Sequence, residues 1–187
     1  RNYSYVNGAY MTRAPFFEHV YIAPRTRDFQ QPNLVSNKIK TVEGGYIMNG
    51  PKLKIRLTGY YTQLEDDYNV FSFYHEDFNN FVNYAISNID RLNFGAEFGF
   101  EAKVAPGLSI SGAAAVGRYY YNSRQEAVIT LDNSNSNVRT ESIFNQNYRV
   151  CSTPQEAYSL GLKYRSPKFW YVSLTGNSFD QMWLDFN

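Results

Sequence analysis

The run Leu92-Asn93-Phe94-Gly95-Ala96-Glu97-Phe98-Gly99-Phe100-Glu101-Ala102-Lys103-Val104 decides how the chain is read. Its even positions are Leu, Phe, Ala, Phe, Phe, Ala and Val, and its odd positions are Asn, Gly, Glu, Gly, Glu and Lys. A helix would scatter those apolar side chains around its whole circumference. A strand collects them on one face and leaves the other wet. Working outward, Leu53, Ile55, Leu57 and Tyr61 oppose Lys54, Arg56, Thr58 and Thr62 across Lys52–Leu64. Leu108, Ile110, Ala114 and Val116 oppose serines and small residues up to Tyr121. Tyr158, Leu160, Leu162 and Tyr164 alternate with Ser159, Gly161, Lys163 and Arg165, and Trp170, Val172 and Leu174 with Tyr171, Ser173 and Thr175. Weaker strands are read at Asn2–Met11 and Lys40–Met48, which makes about seven, several near the ~9–11 residues that cross a bilayer at a tilt. Amphipathic helical stripes with caps are nearly absent.

The joints divide into two kinds. Asn49-Gly50-Pro51, Ala105-Pro106-Gly107 and Ser166-Pro167 are tight and built of turn residues. Arg13–Lys38, Glu65–Asp90 and Asn122–Glu156 read as long connections. Short and long joints alternate along the chain, so an up-and-down sheet collects all tight turns at one end and all long loops at the other. Compact soluble domains rarely carry several such loops, whereas outer-membrane barrels do so routinely.

Composition narrows the class. The 187 residues carry 18 Lys+Arg against 17 Asp+Glu, a net charge of +1, and so lack the basic field that holds a phosphate backbone; nucleic acid is not an expected partner. Aromatics make up 18% of the chain, with 17 Tyr and 14 Phe, and charged residues only 19%, a balance that suits half-buried strands. No stretch approaches the ~20 apolar residues of a membrane-spanning helix. One cysteine excludes an internal disulfide framework. The start at Arg1, without Met or signal peptide, and the stop at Asn187 read as the ends of a fragment.

Alternation alone also fits a soluble sandwich, which buries its apolar face under a second sheet. Aromatic placement favours the membrane: Tyr60, Tyr61, Tyr119, Tyr120 and Tyr121 lie toward the long-loop ends of their strands, and Tyr164 and Trp170 beside the tight turns, as in two interfacial girdles. The charges Glu43, Lys54, Arg56, Glu97, Glu101 and Lys103 all fall on the other face. They would be costly in lipid and fit a wet lumen.

Arg13-Ala14-Pro15, Pro32-Asn33-Leu34, Glu43-Gly44-Gly45-Tyr46, Tyr60-Tyr61 and Glu65-Asp66 follow one another in an order and spacing that resembles the C-terminal barrel half of TonB-dependent outer-membrane receptors. Gly95-Ala96-Glu97 falls where that family tends to have Gly-x-Glu; Thr12 stands in place of its usual aromatic, and Ser36-Asn37 in place of Pro-Glu. Pro154-Gln155-Glu156-Ala157, Tyr164-Arg165-Ser166-Pro167-Lys168 and Leu184-Asp185-Phe186 are similar in style to receptors of Bacteroidetes-type bacteria. The resemblance implies an antiparallel up-and-down transmembrane β-barrel of ~22 strands, closed by a plug, of which this chain supplies about seven. It implies a place in the outer membrane of a Gram-negative cell and import of a scarce nutrient: a metal chelate, cobalamin, a glycan or a peptide. The implied partners are outer-membrane lipid, the TonB complex acting through the absent plug, the nutrient, and in this bacterial group a surface lipoprotein. A porin-like barrel without a plug and a soluble all-β carbohydrate-binding module are the alternatives.

Residues for substrate capture are sought in the long loops: Phe16, Tyr21, Arg25, Arg27, Tyr74 and His75, with Phe17, Phe71, Phe73 and Phe78 nearby. Aromatics there suit a sugar ring or an aromatic chelate, or pack the loops on one another. Arg13, Arg25, Arg27, Arg91 and Arg118 suit an anionic substrate, or snorkel at the surface. Glu18-His19, His75-Glu76-Asp77 and Glu65-Asp66-Asp67 lack recognisable ligand spacing and read as solvated loop residues, and neither metal nor cofactor is expected. Cys151 has no fixed Lys or His beside it and reads as inert. Two His and one Cys offer no triad, so enzymatic activity is not expected.

Overall fold

The fold is taken from a computed structural model, which describes residues 1–23, 28–31, 34–132, 134 and 137–184. It is an open antiparallel sheet of nine strands. Seven follow one another as a meander: β1 (Asn2–Arg13), β2 (Asn37–Asn49), β3 (Leu53–His75), β4 (Asn80–Ala105), β5 (Leu108–Tyr121), β8 (Glu156–Arg165) and β9 (Tyr171–Asp180). The other two, β6 (Gln125–Leu131) and β7 (Asn137–Ile143), form a hairpin that pairs with the upper part of β4. A single helical turn, α1 (Phe17–Val20), lies between β1 and β2.

The register fixes the two faces. Met48 pairs with Ile55, Tyr46 with Leu57 and Val42 with Tyr61; Ile55 pairs with Phe100, Leu57 with Phe98 and Tyr61 with Phe94. Directly paired residues lie on the same side of a sheet, so the apolar positions of neighbouring strands merge into one continuous surface. It continues through Ala114 and Ile110 of β5, Leu160 and Leu162 of β8, and Val172 and Leu174 of β9. The opposite face carries Glu43, Lys54, Arg56, Glu97 and Glu101, in rows where Thr58 opposes Glu97 and Lys54 opposes Glu101. Lys103 lies on this side too, so all six charged residues read as fitting a wet lumen share one face.

The tight joints hold their forms. Gly107 takes φ +77°, a left-handed conformation that glycine adopts without strain, and a Cβ there would collide with the Arg165 carbonyl. Residues 50–52 close on the Gly50 N–H to Leu53 O bond (2.8 Å), and the last turn on Ser166 N–H to Trp170 O (2.9 Å). These three turns lie at one end of the sheet.

At the other end the structure corrects the sequence reading. Glu65–Asp90 is not a long loop. β3 and β4 run on through it as strands of 23 and 26 residues and turn only at residues 76–79. A double irregularity interrupts their ladder, with Asp66 (φ 61°) and Asn88 (φ 57°) both left-handed. Such bulges bend the strand and shift the alternation. The segment Asn122–Glu156 likewise contains the β6–β7 hairpin, and the alternation from Glu126 to Leu131 is strand β6. The core sits at this end: Tyr68, Val82, Ala85, Ile86, Ile89, Ala127 and Ile129 are buried, with Ile22 and Ala23 of the first loop. The upper parts of β3 and β4 with β6 and β7 form a small four-stranded extension of the sheet, in which Asn83 and Thr130 are as deeply buried as Val82 and Ile129.

Candidate functional site

On the apolar face of the meander, Leu53, Leu57, Tyr61, Phe94, Phe98, Val116, Tyr158, Leu160, Leu162, Val172 and Leu174 are all exposed. Among the described residues no element packs over them; apart from α1 against β3, every contacting pair of elements is a pair of hydrogen-bonded strands. A soluble sandwich requires Leu53, Ile55, Leu57, Phe94, Phe98 and Phe100 to lie under a second sheet; here Ile55 and Phe100 are half-buried and the other four are open. Toward the loop end this apolar surface stops at charges. Lys40 pairs with Glu65 (2.7 Å), Lys38 with Asp66 (2.8 Å) and Arg118 with Glu156 (3.2 Å), and Asp180 stands opposite Glu156. Toward the turns it ends at Tyr164 and Trp170, whose rings meet at 5.4 Å.

The aromatic girdle is thinner than the sequence reading has it. Adjacent strand residues point to opposite faces. Tyr61 and Tyr120 therefore belong to the apolar face, where Phe94 and Tyr120 stack at 6.3 Å. Tyr60 and Tyr119 point the other way and hydrogen-bond each other at 2.9 Å on the charged side. Tyr121 packs against Ile86, Ile89 and Ala127 instead.

The charged face is built from glycine and tyrosine, a pairing the sequence alone did not reveal. The Tyr5 ring lies where a Cβ on Gly45 would be, the Tyr119 ring crowds Gly117 (2.8 Å), and the Tyr60 hydroxyl sits 2.7 Å from a Cβ position on Gly95. Flattened this way, Tyr5 reaches across β2 to the buried Thr58, Oη to Oγ1 at 3.3 Å. Lys54 pairs with Glu101 at 3.2 Å, both half-exposed. Beside these groups a groove of about 340 Å³, lined mostly by apolar atoms, runs over the small residues Ala113, Ala115 and Ala157, walled by Arg56, Glu97 and Phe179.

The loop candidates fall into two groups. Phe16 precedes α1, with Arg13 stacked over its ring at 4.5 Å, and Tyr21 packs on Phe17 at 5.2 Å. Tyr74 and His75 end β3, at the tip of the long hairpin, where Tyr74 packs on Phe81 (5.6 Å) and His75 on Phe78 (4.9 Å). Among the described residues, ring contacts run within each group and not between them. Arg25 and Arg27, with Pro32, Asn33, Asp185 and Phe186 of the sequence motifs, lie outside the described residues.

The remaining arginines are committed to structural partners. Asp67 accepts from Asn37 (2.6 Å) and Arg91 and lies 3.7 Å from Arg13, a knot that ties β1, β2 and β4 to β3. Arg118 is held by Glu156 and the Gly117 carbonyl. Gln155, fully buried, accepts from Arg149 (2.8 Å) and donates to the Tyr119 carbonyl (3.2 Å), pinning the chain entering β8. Cys151 is buried 4.0 Å from the Tyr121 hydroxyl. Glu65, Asp66 and Asp67 are each engaged by cations, and among the described residues no group of three or more His, Cys, Asp or Glu converges as on a metal. At the bulge, burial raises the Asp90 carboxyl above its ordinary range; the Asp66 N–H it accepts opposes this, and the Asp66 and Glu65 charges add to it.

Compared with protein-family models, curated proteins and solved structures, the chain matches none of them.

Proposed function

We propose that the chain is a segment of an outer-membrane β-barrel of the TonB-dependent receptor kind, serving the import of a scarce nutrient. The carrying observation is the uncovered apolar face, ended by ion pairs toward the loops and backed by a face holding Glu43, Lys54, Arg56, Glu97 and Glu101. Its height is right for lipid. The ten residue steps from Leu92 to Ala102, at ~3.4 Å each and a tilt of ~40°, rise ~26 Å, against a ~25 Å apolar band in known barrels. In water so much contiguous apolar surface would be an association hazard. In a bilayer it is the ordinary outside of a barrel.

In this reading the polar face lines the lumen, and its mixed charges and small-residue groove receive the plug. The free edges of β1 and β9 pair with further strands, since seven are too few to close a barrel. The β3–β4 tip, the β6–β7 hairpin and the first loop stand outside the membrane, where substrate arrives. The residues bind and position; the family resemblance, with its order of short motifs, supplies the remaining step, in which force from TonB acts on the plug.

Spin labels at alternate positions of β4, with the full-length protein in bilayers, test the reading. Labels at positions 94, 98 and 100 are expected to collide with oxygen dissolved in lipid, and labels at 97 and 101 with a water-soluble relaxer. Shielding of both faces from lipid would sink the membrane reading and return the chain to the soluble binding modules.

A further inference from the structure

We propose that the projecting half of β3 is a docking edge for a cationic peptide, which adds there as an extra strand. Pairing between β2 and β3 stops at Lys38 opposite Glu65, whereas β3 stays paired with β4 up to His75 opposite Asn80. From Asn69 to His75, β3 thus has one strand partner among the described residues; α1 also touches β3, and the Val70 N–H is taken by Asn69 Oδ1 (2.9 Å), which leaves Phe71 to His75 as the stretch of edge open to a partner. Proteins usually blunt such an edge with Lys or Pro. The sequence Asn69-Val70-Phe71-Ser72-Phe73-Tyr74-His75 has neither. A free edge of this length supplies the main-chain bonds of strand addition, and side chains beside it select the partner.

Those side chains select positive charge. The stretch from 68 to 90 contains no Lys or Arg, while Glu76 and Asp77 stand exposed in the turn at its tip. On one face the rings of Tyr84, Phe73 and His75 follow at 5.1 Å and 6.2 Å, inclined to one another by 31° and 28°, and His75 meets Phe78 at 4.9 Å. Phe71 and Phe73 are each 43% exposed. Aromatic faces attract ammonium and guanidinium groups, and a neighbouring carboxylate adds to the pull. Among the described side chains on this small sheet, Arg139 is already paired with Glu141 at 2.6 Å. A strand laid along β3 would set alternate Lys or Arg side chains over Phe71 and Phe73, with the next cation near Asp77. This goes beyond the import reading and does not need it, because the edge and its aromatics are present whether or not the lower sheet lies in lipid.

The test uses purified full-length protein and a fluorescent peptide of alternating Lys and Val, followed by anisotropy at low salt. Two controls accompany it: the same peptide with every lysine acetylated, and one with alternate backbone nitrogens methylated. The parent peptide is expected to bind at least about tenfold more tightly than either control. E76Q/D77N, in an exposed turn that leaves the ladder intact, is expected to weaken it several-fold, and Phe73→Ala by about 3- to 30-fold. Equal binding of the acetylated peptide overturns the charge selection, and equal binding of the methylated one overturns strand addition. Undiminished binding by E76Q/D77N, or no binding at all, overturns the site.

Discussion

The two halves of the sheet solve the problem of apolar surface in opposite ways. Below the bulge, Leu57, Phe98 and Leu160 stand open on a single layer, while on its other face Thr58 is buried under Tyr5. Above it, Val82, Ala85, Ile86, Ala127 and Ile129 are buried by the chain itself, and Gln31 reaches in to the Ile86 carbonyl. The same long strands run through both halves. What differs is the covering: the described residues bury the apolar side chains of the upper half and leave those of the lower half open.

The largest effect is expected where the chain supplies its own core. Ile129→Ala should cost about 2–5 kcal/mol through the cavity it leaves. Hydrogen exchange should report the loss in β6, β7 and upper β4 while the rungs from Phe94 to Ala102 keep their protection; loss of both together would erase the division. Next comes Leu57→Arg, which sits amid the open face. In a bilayer it should cost about 2–4 kcal/mol in denaturant unfolding from vesicles. A change within about 0.5 kcal/mol, the usual result for a water-exposed side chain, would break the lipid half of the comparison.

Gly95→Ala sharpens the view of the charged face. Its new Cβ would stand 2.5 Å from the Val116 carbonyl and 2.7 Å from the Tyr60 hydroxyl, so about 1–3 kcal/mol should be lost in unfolding by urea. Gly99→Ala, with 3.9 Å of room to the Gly112 carbonyl, should lose less. The smallest effect is expected at the bulge. Because the native Asp90 carboxyl titrates above its unfolded value, the folded chain holds the extra proton between the two, and stability falls as pH rises through that window. Asp90→Asn keeps an acceptor for the Asp66 N–H and removes the fall. Its melting temperature should exceed the parent's at neutral pH and meet it in acid; a constant offset would mean the carboxylate is not the cause.

The lower half was legible in the sequence because only one of its faces is apolar. Leu92–Val104 alternates residue by residue, and the turns at Gly50-Pro51 and Pro106-Gly107 punctuate it. The upper half was not, for the complementary reason. Where residues next to one another are both buried, alternation is lost, as at Val82-Asn83 and Ala85-Ile86. The left-handed residues Asp66 and Asn88 also break the phase between the two halves. Aromatic and β-branched residues either side of Glu76-Asp77-Phe78-Asn79 were the signal for a hairpin there. Of the loop candidates, Tyr74 and His75 fall on one structured tip, but the free edge beside them depends on where β2 ends, which no local pattern reveals.

The interposed β6–β7 hairpin also sets an order of events in folding. Along the meander most strands pair with the next in sequence, so most of the sheet can zip from local hairpins. The exception is β5, which must wait for β8 across the whole of Asn122–Gln155. Collapse of that stretch onto β4 draws its ends together before β8 arrives, and Gln155 then latches the junction. Slowing the β6–β7 hairpin should therefore delay the far strands, which it never touches, more than the strands before it.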